Sequence, residues 1–240
     1  MELKGWDDYR GDPVNTPSSV DIIYKVVAMK RSGHHALIEW IINNMDGEIY
    51  YINNVGKGEA QNLYKNKMKL IKNNGNKKIV FYNIEDYDPS NDFNINLLSS
   101  TTITINILRD PLNLFASRIN LSKKNNNYKS LITTYNLYKK HFSLIENKNF
   151  LSILYTRWVH DEKYRKEIAD SLSLKTSASL DKLSIMGQNP PYNLTSSFNN
   201  KDKDIKAINF NKRYLSLNET QKNNIYNNLK LEVEYFKEFL

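Results

Sequence analysis

YKVVAMKRSGHHALIEWI, residues 24–41, decides the fold. It opens on an apolar, β-branched run, closes on residues with helical spacing, and between them holds Lys30, Arg31, Ser32, Gly33, His34 and His35. In an open parallel sheet, ligands bind where a strand turns into the next helix, because that turn exposes backbone amides and the positive end of the helix dipole. The stretch has this setting without the letters of the nucleotide-hydrolysing P-loop. GxxxxGK[ST] needs a lysine after its glycine, and His34 stands there; the residues that would hold the β- and γ-phosphates and magnesium are missing. ATP or GTP hydrolysis is disfavoured, and the dinucleotide fingerprint GxGxxG is absent as well. What remains is a cation (Arg31), a small hydroxyl (Ser32), a glycine permitting close approach (Gly33), and two donor side chains (His34, His35). That set suits an anion of phosphate size without a metal ion. The competing reading is an ordinary strand-to-helix turn with a chance basic pair.

Working outward, β-branched segments recur at Val20–Met29, Glu48–Asn53, Lys77–Ile84, Thr102–Leu108 and Phe150–Tyr155. Between them lie 35–45, 61–73, 111–124 and 128–147, whose apolar spacing is nearer 3.6 than 2. Alternating strands and helices predict an α/β three-layer sandwich, a mostly parallel sheet flanked by helices on both faces. Residues 161–172 read as a helix, and 218–240 as one long closing helix, with SLNE (216–219) resembling a capping box. At 240 residues the chain is read as one domain, 1–240. Residues 1–19 are read as an irregular extension and 173–204 as a cofactor or acceptor loop.

A second strand end carries chemistry. In ILRDPLNLFASRIN, Arg109 closes an apolar run, Asp110 suits an N-cap, and Pro111 suits the first helical position, where its missing N–H costs nothing. Ser117 follows Asp110 by about two helical turns, on the same face. Two strand ends, each with an arginine, imply two anionic sites on one ligand.

Together, KRSGHHAL and LRDPLNLFASR resemble the two signature motifs of the sulfotransferases that use 3'-phosphoadenosine 5'-phosphosulfate (PAPS). The first motif of that family reads roughly (K/R)-S-G-(S/T)-T; the second is an arginine, a proline two residues on, and a serine eight residues after the arginine. The resemblance implies a P-loop-like sulfotransferase fold and metal-free, in-line transfer of a sulfuryl group to a hydroxyl or amine, leaving 3',5'-adenosine bisphosphate (PAP). It implies that Arg31, Ser32, Gly33, His34 and His35 bind the 5'-phosphosulfate, and that Arg109 and Ser117 hold the 3'-phosphate. It places Tyr155 near the adenine, although Thr156 departs from the family's glutamate, and Ala36 stands where the family has a tryptophan. SSFNN resembles an element that closes over the nucleotide, which adds Ser197 and Phe198. Arg31 would neutralise the leaving phosphate. The family takes its base from His or Glu near the end of an early strand. Glu85, sharing a strand face with Asn83, ranks first for that role and His35 second; a solvated acidic strand end is the competing reading of Glu85. Glu39, one turn beyond His35, either orients that ring or lies on the surface.

Composition bounds the alternatives. The sequence has no cysteine, which excludes a thiol nucleophile and a Cys-based zinc site. It has no run of eighteen apolar residues and opens without a signal-peptide pattern, so a soluble cytoplasmic protein with no membrane partner is expected. The net charge of +8 is spread along the chain. A basic nucleic-acid-binding module would put aromatic and basic residues on one exposed sheet face, whereas these strands read as buried on both sides. A nucleotide-binding kinase-like protein is the other alternative. The expected partner is a small-molecule or carbohydrate acceptor, with no nucleic acid; the sequence is silent on the acceptor's identity and on oligomeric state.

Overall fold

A computed structural model describes residues 17–55, 68–91, 94–95, 97–125, 131–175, 180 and 214–239. Its centre is a six-stranded sheet of β1 (Ser19–Ala28), β2 (Glu48–Ile52), β3 (Lys69–Asn73), β4 (Lys78–Glu85), β5 (Leu98–Leu108) and β6 (Leu151–Leu154), in the order β3-β2-β4-β1-β5-β6. Every pairing is parallel except β2 with β3. The sheet is flanked by α1 (His34–Asn43), α2 (Pro111–Asn125), α3 (Leu131–Phe142), α4 (Tyr155–His160), α5 (Glu162–Ser171), α6 (Glu219–Asn228) and α7 (Lys230–Lys237). The expected α/β architecture is therefore the observed one.

The period of two in β1 sorts its side chains between the layers. Tyr24, Val26 and Ala28 pack with Leu37, Ile38 and Trp40 of α1 and Trp158 of α4. Ile23 and Val27 lie in a second cluster with Val80, Tyr82 and Ile84 of β4. A third cluster, around Phe115, Tyr138 and Phe236, joins α2, α3 and α7 beside the ends of β5 and β6. Burial on both faces holds for β2, β4 and most of β1, whereas β3 and the first half of β5 are partly exposed.

Four expectations are corrected. Residues 61–73 do not form one helix: 61–67 lie outside the described residues, and 69–73 are the edge strand β3, antiparallel to β2. Tyr155 ends no strand but begins α4, whose last carbonyls, of Trp158 and Val159, accept from the buried Arg165 guanidinium at 2.8 and 3.0 Å. The closing helix is two, divided at Leu229, which leaves helical geometry with φ −133° and ψ 38°. The capping box there uses Asn218 with Gln221 rather than Ser216 with Glu219.

Candidate active site

The order of the strands places β1 between β4 and β5, so the ends of these three strands form one rim. Register sets what meets there: Ala28 pairs with Glu85 on one side and with Ile107 on the other, two residues before Arg109. A crevice at such a crossover is where open α/β sheets bind ligands.

The first turn is conformationally special. Arg31 (φ 76°) and Gly33 (φ 87°) both take positive φ, and the Ser32 N–H donates to the Met29 carbonyl (3.1 Å). A Cβ on Gly33 would lie 2.4 Å from the Tyr155 ring, so only glycine fits. Gly33 is also the N-cap of α1, and no side chain caps this helix. The first backbone donors of a helix lack the usual intrahelical partners; here the Ala36 N–H is taken up by the Gly33 carbonyl (3.1 Å).

Ser32 and His34 point inward. Ser32 is fully buried, with Oγ 3.2 Å from His34 Nδ1. The other ring nitrogen, Nε2, lies 3.0 Å from Glu85 Oε1 and 3.3 Å from Asn83 Nδ2. His35, whose side chain is 28% exposed, brings its Nε2 to 3.9 Å from the same Glu85 oxygen and 3.3 Å from Asn53 Oδ1. Burial, and then the neighbouring His34, hold His35 well below the ordinary imidazole range. The two base candidates thus share one cluster at the end of β4. Glu39 is buried, not on the surface.

The second turn is built differently. Asp110 Oδ1 accepts from the backbone N–H (2.8 Å) and the side-chain amide (2.9 Å) of Asn113, which caps α2, while Oδ2 accepts from Thr156 Oγ1 (3.1 Å). Tyr138 donates to the Arg109 carbonyl (2.6 Å), and burial, followed by Asp110, pushes that phenol well up. The Arg109 guanidinium is buried, donates to the Arg31 carbonyl (3.2 Å) and lies over the Tyr155 ring. Thus Tyr155 touches both turns. Ser117 is buried on α2 beside Arg118. Ser197 and Phe198 lie outside the described residues.

Two residues that sequence reasoning missed join the turns. Asp86 accepts the Lys30 N–H (3.0 Å) and holds Arg118 through both oxygens (2.8 and 2.9 Å), and Arg118 also donates to the Lys30 carbonyl (3.2 Å). Burial opposes ionisation of Asp86, but Arg118 and the Lys30 amide outweigh it and keep the carboxyl below its ordinary range. An Asp immediately after a strand end, able to take positive φ (here 52°), was the available signal.

No protein-family model and no curated protein sequence matches the chain. Among solved structures, the crystal structure of mouse sulfotransferase SULT7A1 complexed with PAP is similar to it with a TM-score of 0.50 and 15% identity, over 95% of this chain and 91% of that one. Among the described residues, no helix is long and apolar enough to cross a membrane. The chain has a sulfotransferase-like α/β fold.

Proposed function

We propose that the chain is a PAPS-dependent sulfotransferase acting on a hydroxyl or amine of a small-molecule or carbohydrate acceptor. The observation that carries the reading is the direct link between its two strand-end turns, Arg109 Nη1 to the Arg31 carbonyl at 3.2 Å, at the rim of a sulfotransferase-like sheet. A nucleotide with phosphate at both ends calls for two such turns side by side. The donor set fits it: the start of α1 carries no side-chain cap, so its amides can take the phosphosulfate, and Arg109 and Ser117 can take the 3'-phosphate.

When bound, PAPS supplies the sulfuryl group. This chain's residues supply position and charge, which is most of what such a transfer needs. Arg31 neutralises the oxygen that gains charge as the phosphate leaves. Ser32 and His34, both buried, hold the turn and the Glu85 carboxylate in place. Glu85, at the end of β4, accepts the proton of the acceptor group, with His35 beside it.

Calorimetric titration with PAP, 5'-AMP and ATP tests this, repeated on Arg109→Ala. The wild type should prefer PAP to AMP. Arg109→Ala should lose about 10- to 100-fold in PAP affinity, the worth of one to two charge-assisted hydrogen bonds, with AMP little changed. No preference for the 3'-phosphate would overturn the reading, and tighter ATP binding with magnesium would favour a kinase-like protein.

A further inference from the structure

Three ligand atoms converge where the first turn meets the end of β4. His34 Nε2 lies 3.0 Å and His35 Nε2 3.9 Å from Glu85 Oε1, and all three lie within 4.8 Å of one another. Adjacent residues on a helix ordinarily point about 100° apart, yet these rings sit 4.1 Å from each other, tilted by 45°. Their nitrogens therefore meet at one carboxylate oxygen.

The hydrogen bonds around His34 do not close on themselves. Asn83 Oδ1 accepts from the Asn54 backbone N–H (2.9 Å) and from the Tyr51 hydroxyl (2.8 Å), which fixes the amide orientation, because a backbone N–H can only donate. Asn83 Nδ2 is then the atom 3.3 Å from His34 Nε2. That ring nitrogen faces a group that only donates and a carboxylate that only accepts. With a proton on Nε2, the amide is mismatched; without one, the carboxylate is. A cation shared by the Nε2 lone pair and Oε1 satisfies the carboxylate without that proton; it takes the one in-plane lone pair of Nε2, so the Asn83 amide gains no acceptor there.

We infer that His34, His35 and Glu85 form a binding site for a divalent first-row transition ion of the zinc type. Two imidazoles and a carboxylate suit such ions better than magnesium or calcium, which prefer oxygen ligands throughout. Bonds of about 2.0–2.1 Å in a tetrahedral site put ligand atoms about 3.3 Å apart. The separations of 3.0 and 3.9 Å from Glu85 Oε1 bracket that value, and the ligand atoms of the two rings lie within 4.8 Å of each other, so loading draws the two rings together around the ion. Asn53 Oδ1, 3.3 Å from His35 Nε2, adds an oxygen donor at the exposed edge, where an ion can enter. Ser32 Oγ on His34 Nδ1 is the outer partner that orients a metal-binding histidine. The positive end of α1, about half a charge, opposes a cation, and the full charge of Glu85 outweighs it. In transfer, and here the inference rests on the proposed function, an ion at this site removes Glu85 from proton acceptance, so Zn²⁺ inhibits.

The full chain, without a polyhistidine tag and stripped with chelator, is titrated with Co²⁺. The expected result is the visible absorption of a four- or five-coordinate ion, saturating at one Co²⁺ per chain and abolished by Zn²⁺. His35→Ala and Glu85→Gln should each weaken binding about tenfold or more, while His160→Ala, at an exposed helix end, leaves it unchanged. Absence of the band in the wild type, or its survival in both His35→Ala and Glu85→Gln, overturns the inference. PAP titration of the same chelated sample reports on the nucleotide reading separately, so either can fail alone.

Discussion

The two turns that meet at the rim solve the same local problem in opposite ways. Between β5 and α2, Asp110 closes the helix start with its own carboxylate and Pro111 fits the first helical position, so the backbone is relaxed and satisfied from within the chain. Between β1 and α1, two residues take positive φ and no side chain caps the helix. That geometry is costly, and the start of α1 has no side chain closing it. The difference separates a turn built to hold side chains, Arg109 above all, from one built to present its backbone. Stability should reside in the β5–α2 turn, and ligand binding in the β1–α1 turn.

Gly33→Ala tests the contrast most severely. The new methyl would meet the Tyr155 ring at 2.4 Å, a ring held between Arg109 and Trp158. A left-handed alanine costs about 1–2 kcal/mol and overpacking a further 1–3 kcal/mol or so, so urea unfolding should show a loss of about 2–5 kcal/mol. In a Tyr155→Ala background only the backbone part should remain. An undiminished cost there would mean that Tyr155 is not what excludes the side chain.

Asp110→Ala and Arg31→Ala should then separate, the first lowering stability and the second affinity. Asp110→Ala removes a cap, worth about 1 kcal/mol, and the bonds to the Asn113 side chain and Thr156, at roughly 1 kcal/mol each. A loss of about 2–3 kcal/mol is expected, with Asp110→Asn losing less because its oxygen still caps. Arg31→Ala keeps the carbonyl that Arg109 uses, so unfolding should shift by less than about 0.5 kcal/mol while PAP affinity falls about tenfold. If Arg31→Ala unfolds early and binds normally, the division of labour between the turns is wrong.

Much of this was legible because the turns are local. The positive φ of Gly33, the cap that Asp110 gives Asn113 and the place of Pro111 at the first helical position are backbone effects within three residues, and a sequence shows such effects directly. Glu85 was also found, since the period of two places it beside Asn83 at a strand end. What escaped depends on partners far along the chain. Residues 69–73 carry a spacing that suits a helix, and pairing with β2 overrides it. Tyr155 starts a helix straight from a strand, with Leu154 as an N-cap that makes no side-chain bond, so no capping letter announces it. Leu229 ends α6 without glycine or proline; it is fully buried among Phe115, Tyr138 and Phe236, and packing sets that break. At the site, the convergence of His34 and His35 on Glu85 comes from the β1–β4 register, and the bond from Asp86 to Arg118 spans 32 residues. No short motif encodes either.

That last pair offers the finest test of the comparison, because it ties the presenting turn to the helix of the relaxed one. Asp86 and Arg118 are only partly exposed, 24% and 16%, and their bond is bidentate, which sets it above the usual surface ion pair. A double-mutant cycle with Asp86→Asn and Arg118→Ala should give a coupling of about 1 kcal/mol in unfolding. Asparagine also tolerates the positive φ of Asp86, so the cycle reads the pair and not the backbone. If the clamp serves the first turn, Asp86→Asn should also weaken PAP binding, since it loosens the hold on the Lys30 amide. Ser117→Ala, on the same edge of α2, should lower the affinity for PAP. A coupling near zero would mean that each turn stands alone, and the closeness of Arg109 to Arg31 would then rest on the strand register and the single 3.2 Å bond between them.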